Sequence, residues 1–359
     1  MPENPLERIR EHLNAGEVEE ALQKLDLWLQ ANGKASLSND VALWRADLSR
    51  GEREFSQSLI ALSDLRALQQ KITRGILVLL TELGTGIPAI HTFHCYTCDR
   101  VPQTDTFAES FEQRRKEKKQ FYFLYGWERQ SHLGMFRRIA YELEGAFLDD
   151  LSPQTAPGVK SRQMELRLRP TRKEQLFKLE IAKNLFHLLE VKPEDHEPIL
   201  DKSLAYIASF SPLLQDFSEK DYLCIYIPIL SYDWDNQVTP TVASWVIESF
   251  CKDPLPANCP NVLFFFAVVF EEEDQDLVHE IREVVENSRH IQALPELEKV
   301  ARRDIRRWFS IYHQIAETAE ARDNLITGHF GSGQEPLDME IVEINLRKII
   351  DQYNNSFIR

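Results

Sequence analysis

Residues 121–143 read FYFLYGWERQSHLGMFRRIAYEL, and this stretch decides the fold. Its first residues, 121–125, are suited to a buried strand, and Gly126 ends that run. A short polar turn follows at 127–131. Beyond it Met135, Phe136, Ile139, Ala140, Leu143 and Phe147 recur at steps of three and four, the spacing of one helix face. A buried strand, a tight turn opening on glycine and an amphipathic helix form the skeleton of a phosphate-cradling loop, where backbone N–H groups at a helix N-terminus face an anion.

The skeleton is present and its chemistry is missing. A working loop reads GxxxxGK[ST]: glycines let backbone N–H groups approach the phosphates, Lys reaches the β/γ oxygens, and Ser/Thr holds Mg²⁺. Here the positions are Gly126, Trp127, Glu128, Arg129, Gln130, Ser131 and His132. There is no second glycine and no lysine, and a carboxylate stands where a phosphate would sit. The loop is read as a degenerate P-loop, filled by its own side chains. Trp127 is expected to pack over the strand ends, and Glu128 to pair with Arg129 or Arg100. The competing reading lets Arg129, His132 or Arg100 replace the lysine, giving a switch that binds nucleotide and hydrolyses it poorly. The apolar run 222–230, YLCIYIPIL, reads as the second core strand. A catalytic acid for Mg²⁺ would end that strand. Asp233 and Asp235 instead lie three and five residues beyond it.

Working outward, the run 262–270, VLFFFAVVF, is another strand buried on both faces, whereas Met164, Leu166 and Leu168 alternate with charges as an edge strand. Helical spacing covers 171–189, 239–251 with Thr239 as cap and Pro240 in the first turn, 277–285, 300–312 and 339–353. Residues 290–297 read as a last strand and turn, 149–158 as a polar loop, and Gly331-Ser332-Gly333 as a flexible turn. Strands alternating with helices predict an α/β domain, a parallel sheet flanked by helices.

Residues 1–83 carry no strand pattern. Asn4, Pro5 and Glu7 open a helix lined by Leu6, Ile9 and Leu13, and Val18, Ala21, Leu22, Leu25, Trp28 and Leu29 line a second. Ser38 caps a third with Val41, Trp44 and Leu48, and Ser63-Asp64 starts a fourth with Leu65, Leu68, Ile72, Ile76 and Leu79. This predicts a small antiparallel α-helical bundle, suited to docking rather than catalysis. Gly84, Thr85, Gly86, Ile87 and Pro88 mark the boundary, dividing the chain into domains 1–85 and 89–359.

Beyond the boundary, His91, His94, Cys95 and Cys98 crowd into eight residues. Zn²⁺ sites pair such a CxxC with two further ligands a dozen or more residues away, and no second CxxC exists. Buried thiols on a short strand are the expectation, with no metal and no cofactor. Catalysis by Cys98 beside His94 would need a geometry that sequence proximity does not supply. The basic run 114–119 ends a helix bearing Phe107 and Phe111, where cations complement the dipole.

The net charge of −15 excludes a general nucleic-acid surface, no apolar run is long enough for a membrane span, and five cysteines fit reduced thiols in the cytoplasm.

Two resemblances follow. Segments 17–29 (EVEEALQKLDLWL) and 48–83 (LSRGEREFSQSLIALSDLRALQQKITRGILVLLTEL) resemble effector-associated domain type 11 of bacterial conflict systems. From Thr92 onward the chain resembles the inactive STAND family. That resemblance rests on Cys98-Asp99-Arg100 with Gln103, on the 123–139 strand–loop–helix, and on Leu294-Pro295-Glu296-Leu297 with Trp308. In STAND-type ATPases the position of Cys98, Asp99, Arg100 and Gln103 folds over the adenine. The resemblance implies a STAND NTPase-like fold with degraded nucleotide motifs. It also implies a non-enzymatic adaptor or sensor in defence against invaders. The partner it implies is a protein carrying a matching effector-associated domain, and a homo-oligomer is allowed for.

Overall fold

The computed structural model describes residues 5–14, 17–31, 35–57, 60–85, 90–145, 159–168, 171–193, 198–271, 275–333 and 335–356. The chain forms two compact units, residues 1–90 together with 351–359, and residues 91–350.

The first unit contains α1 (Pro5–Asn14), α2 (Val18–Ala31), α3 (Ala35–Ser56) and α4 (Leu62–Thr85). The apolar stripes read from sequence meet in one core. Leu6, Ile9 and Leu13 pack with Leu22, Leu25 and Leu29, Val41 and Leu48, and Ile72, Ile76, Leu79 and Leu80. Each fully buried aliphatic side chain of this kind contributes about 1.5–3 kcal/mol. Arg45 ties α3 to α2, its Nε and Nη2 donating to Glu19 Oε1 at 3.1 and 2.9 Å. Two expectations shift. The third helix begins at Ala35, so Ser38 lies inside it rather than capping it. The fourth runs through Thr85, so Gly84 is helical. Packing of Leu79 and Leu80 outweighs the cost of about 1 kcal/mol for a helical glycine. Residues 86–88, Phe147 and the 149–158 loop lie outside the described residues.

The second unit runs α5 (Val101–Gln113), β1 (Lys119–Trp127), α6 (His132–Leu143), β2 (Ser161–Glu165), α7 (Glu174–Leu188), α8 (Leu204–Phe210), β3 (Tyr222–Leu230), α9 (Val238–Trp245), β4 (Asn261–Phe270), α10 (Gln275–Glu286), β5 (Gln292–Ala293), α11 (Arg302–Ile311), α12 (Ala319–Phe330) and, up to residue 350, α13 (Met339–Ser356). The five strands form one sheet in the order β2-β3-β4-β1-β5, and every pairing is parallel. Side-chain alternation splits each central strand between two cores. Phe121, Phe123 and Tyr125 join Phe264 and Phe266 beside α7, α9 and α10. Tyr122 and Leu124 join Phe265 beside α5 and α6. The register sets Phe121 against Phe264 and Tyr122 against Phe265, so their rings stack at 5.2 and 5.3 Å. Burial on both faces is why these strands read as unbroken apolar runs. The edge strand β2 carries buried Met164 between half-buried Gln163 and exposed Glu165.

Local chemistry corrects two elements. Residues 92–97 form a 3₁₀ helix rather than a strand. The helix expected at 239–251 starts at Val238 and ends in a π-helical turn, Val246–Phe250. Its N-terminus is held by Asp235 rather than Thr239: Asp235 Oδ1 accepts from the Gln237 and Val238 N–H groups, both at 2.9 Å. A carboxylate there satisfies orphan donors and complements the helix dipole.

After β1 the chain crosses to β2 at one edge of the sheet, and after β4 it crosses to β5 at the other. These adjacent strands thus diverge at their carboxyl ends, where open α/β sheets hold their ligands.

The loop at the carboxyl end of strand β1 as candidate functional site

Gly126 still lies within β1 and bridges Leu297, whose N–H donates to the Tyr125 carbonyl at 2.8 Å. A Cβ on Gly126 would lie 2.7 Å from Leu297 O. The glycine therefore serves a close approach of two backbones. Trp127 lays its ring edge-on to Phe270 at 5.9 Å, at the strand ends where it was expected.

Glu128 is exposed and does not form the expected pair with Arg129 or Arg100. Arg129 places its guanidinium 3.9 Å from Asp338 instead. Gln130 is buried, and its Nε2 donates to Asp338 Oδ1 at 3.1 Å. Lys299 Nζ stands 3.5 Å from the same carboxylate. Ser131, the N-cap of α6, adopts φ 55°, ψ 57° and makes no side-chain cap to the helix. Its hydroxyl donates to Glu343 Oε2 at 2.7 Å. His132 is buried, and desolvation aided by the Arg100 charge holds its pKa down to about 4. Its imidazole is neutral at physiological pH.

The upstream residues close on this loop. Asp99 and Arg100 both have positive φ, 59° and 69°, so the chain turns sharply into α5. That turn aims Arg100, 2% exposed, inward. Its Nη1 donates to Glu298 O at 2.7 Å and its Nη2 to Gln130 O at 3.0 Å, while Asp99 Oδ2 lies 3.8 Å away. A planar guanidinium presents several donors in fixed directions and can join two chain segments in this way. Gln103 Nε2 donates to Glu296 O at 2.8 Å and to Pro295 O at 3.3 Å. Asp99 O accepts from Arg138 Nη1 at 2.7 Å. The structure thus brings the 98–103, 126–132 and 294–298 stretches together.

The other candidates have structural partners. His94 is buried, with its pKa held down to about 4 by burial, and its Nδ1 lies 2.8 Å from the Tyr312 hydroxyl. Trp308 Nε1 donates to His94 O at 3.0 Å. Burial pushes the Cys98 thiol far up, opposite to the activation a nucleophile needs. Among the described residues no three His, Cys, Asp or Glu converge as metal ligands. Asp233 lines a cavity of about 200 Å³ at the end of β3, and Asp235 caps α9. Gly331, at φ 78°, ends α12. In the basic run, Arg114 donates to Ser110 Oγ at 2.6 Å, Lys118 to Cys259 O at 3.2 Å and Lys119 to Asp253 O at 2.7 Å.

Asp338 and Glu343 are site residues that sequence reasoning missed. Glu343 did leave a signal. Met339, Val342, Leu346, Ile349 and Ile350 form the buried stripe of α13, and Glu343 interrupts it. A carboxylate on an apolar helix face is informative because burying it requires partners.

Two family models match the chain: inactive STAND over residues 95–268, and effector-associated domain 11 over residues 4–84. The second unit therefore has a P-loop NTPase-like α/β fold, and its match is to the inactive STAND family. It follows an α-helical segment that matches effector-associated domain 11, the architecture that the sequence resembled. No curated protein matches the chain. Among the described residues no helix is long and apolar enough to cross a membrane.

Proposed function

We propose that this protein is a non-catalytic scaffold of a bacterial conflict system, an adaptor or sensor working in the cytoplasm. In this reading the helical domain, 1–85, recruits an effector that carries a matching effector-associated domain, and the α/β domain, 89–359, receives the signal. The observation that carries it is Arg100. This buried cation directs both of its Nη groups to the carbonyls of Glu298 and Gln130. Of the other two candidates for the lysine role, His132 is neutral and Arg129 lies beside Asp338. Phosphoryl transfer depends almost entirely on positioned charge. For docking, α2 and α3 hold Leu27 and Leu43 outside the core, at 61% and 64% exposure. All five cysteines are buried thiols, which fits a reducing compartment.

The full-length protein is expected to release phosphate from ATP or GTP at the background rate. Mg²⁺-dependent turnover that disappears in Arg129→Ala would overturn this and favour the nucleotide-switch reading. Recruitment is tested by calorimetry against an effector bearing an effector-associated domain 11. The wild type binds saturably, and a Leu27→Asp/Leu43→Asp double variant binds at least about tenfold more weakly, the 1.4 kcal/mol of one lost apolar anchor. Unchanged binding by the double variant rejects that surface.

A further inference from the structure

Gly134, in the first turn of α6, shows what that turn holds. A Cβ there would run into Glu343 Oε1 and Ser131 Oγ. Glu343 reaches this place from α13 and is 8% exposed. Ser131 is the residue whose side chain would ordinarily accept a hydrogen bond from the helix's own N–H groups. Its hydroxyl instead donates to Glu343, so a carboxylate lies against the turn in place of a side-chain cap.

The electrostatics set a buried acid among cations: burial is the largest influence and raises the Glu343 carboxyl to about 7, and the neighbouring donors act against it. The N-terminal turn carries the positive end of the helix dipole. Arg100 and Arg347 both favour the charged form of Glu343, and Ser131 does so by its hydrogen bond. Arg100 feels Glu343 in return, and its buried Nε has no hydrogen-bond partner among the described residues. Glu340 on the same helix acts in the opposite sense. Of the other nearby groups, His132 is neutral and Asp338 faces Gln130, Arg129 and Lys299.

We propose that the Glu343 carboxyl group fills, at the α6 N-terminus, the seat that a strand–turn–helix frame offers a phosphate, and that an inorganic oxyanion enters only when that side chain is removed. This goes beyond the scaffold reading, which needs only a loop without an available cation.

The test uses the full chain with Glu343→Ala and Glu343→Gln, followed by thermal unfolding. Sodium phosphate and sodium sulfate are titrated at constant ionic strength. The wild-type midpoint stays flat, whereas Glu343→Ala starts several degrees lower and rises saturably with either anion. Equal anion dependence in both proteins, or an unaltered midpoint in the variant, overturns the proposal. If the alanine variant does not fold, the glutamine variant decides. Burial raises the Glu343 carboxyl to about 7, so the wild type loses stability as pH climbs from about 5 to 8. Glu343→Gln lacks that decline. Superimposable pH profiles of the wild type and Glu343→Gln overturn the proposal on their own.

Discussion

Strands β1 and β3 belong to one sheet, and their carboxyl ends are finished in opposite ways. At the end of β1, buried Gln130, Ser131 and His132 lie beneath Arg100 and against Asp338 and Glu343. At the end of β3, the turn Ser231–Asp233 leads to a cavity of about 200 Å³, and Tyr232 is 49% exposed. The acid that follows, Asp235, caps the next helix. Where backbone and polar side chains are enclosed, each must find a partner inside the protein, and the number of possible arrangements is small. Where they stay near water, acids can be present without being organised. The β1 end is thus enclosed by side chains from distant segments, whereas the β3 end is bonded mainly within its own turn and borders a cavity.

The largest effect that would break this contrast is at Arg100. Arg100→Ala is expected to cost about 3–5 kcal/mol in denaturant unfolding, because it strands the Glu298 and Gln130 carbonyls and leaves Glu343 without its buried cation. Arg100→Lys should recover little of this, since an ammonium lacks the planar fork. A loss below about 1 kcal/mol would mean the β1 end is no better organised than the β3 end.

Gly126→Val comes next, at about 3 kcal/mol, because the new side chain meets the Leu297 backbone and a φ of 155° disfavours it. Chemical denaturation compared with the wild type measures it. A normal midpoint would show that the β1–Leu297 approach is not constrained.

The pH dependence of the β1 end is smaller. The Glu343 carboxyl is raised from its unfolded value to about 7, so folding favours its protonated form. Stability from this group is complete below about 4.5, falls as pH rises through about 7, and is flat above. At 1.36 kcal/mol per pKa unit the total is about 3 kcal/mol, most of it lost between pH 5 and pH 8, where unfolding measures it. A stability that rises across this window would contradict a raised carboxyl.

The smallest effect belongs to β3. Asp233→Asn should change stability by less than about 0.5 kcal/mol, since its carboxylate is only partly desolvated and has no packed partner network. A loss of 2 kcal/mol would show that the β3 end is organised too.

Much of this was readable in the linear chain. The β3 run at 222–230 was placed to the residue, and β4 to within one residue, because continuous apolar character is what a doubly buried strand requires. The helical stripe of α6 was equally plain, with Met135, Phe136, Ile139 and Ala140 all buried. Boundaries set by single side chains were less legible. Ser38 looked like a cap yet lies within α3, and Asp235 took the role assigned to Thr239. A cap depends on where the chain enters the helix, which neighbouring packing decides.

The sequence by itself determined the alternation of strands and helices, the bundle ahead of them, and the absence of a phosphate-loop lysine. These follow from periodicity and residue chemistry, both local properties. Tertiary structure alone decided what replaced the missing parts. Ser131 and Glu343 lie 212 residues apart, and Gln130 and Asp338 lie 208 apart. Arg100 joins the loop after β1 to the segment after β5. Pairings of that separation are set by how a five-stranded sheet brings its strand ends and final helix together. The energy that makes them specific, that of an enclosed polar group needing a partner, arises only once water has been excluded.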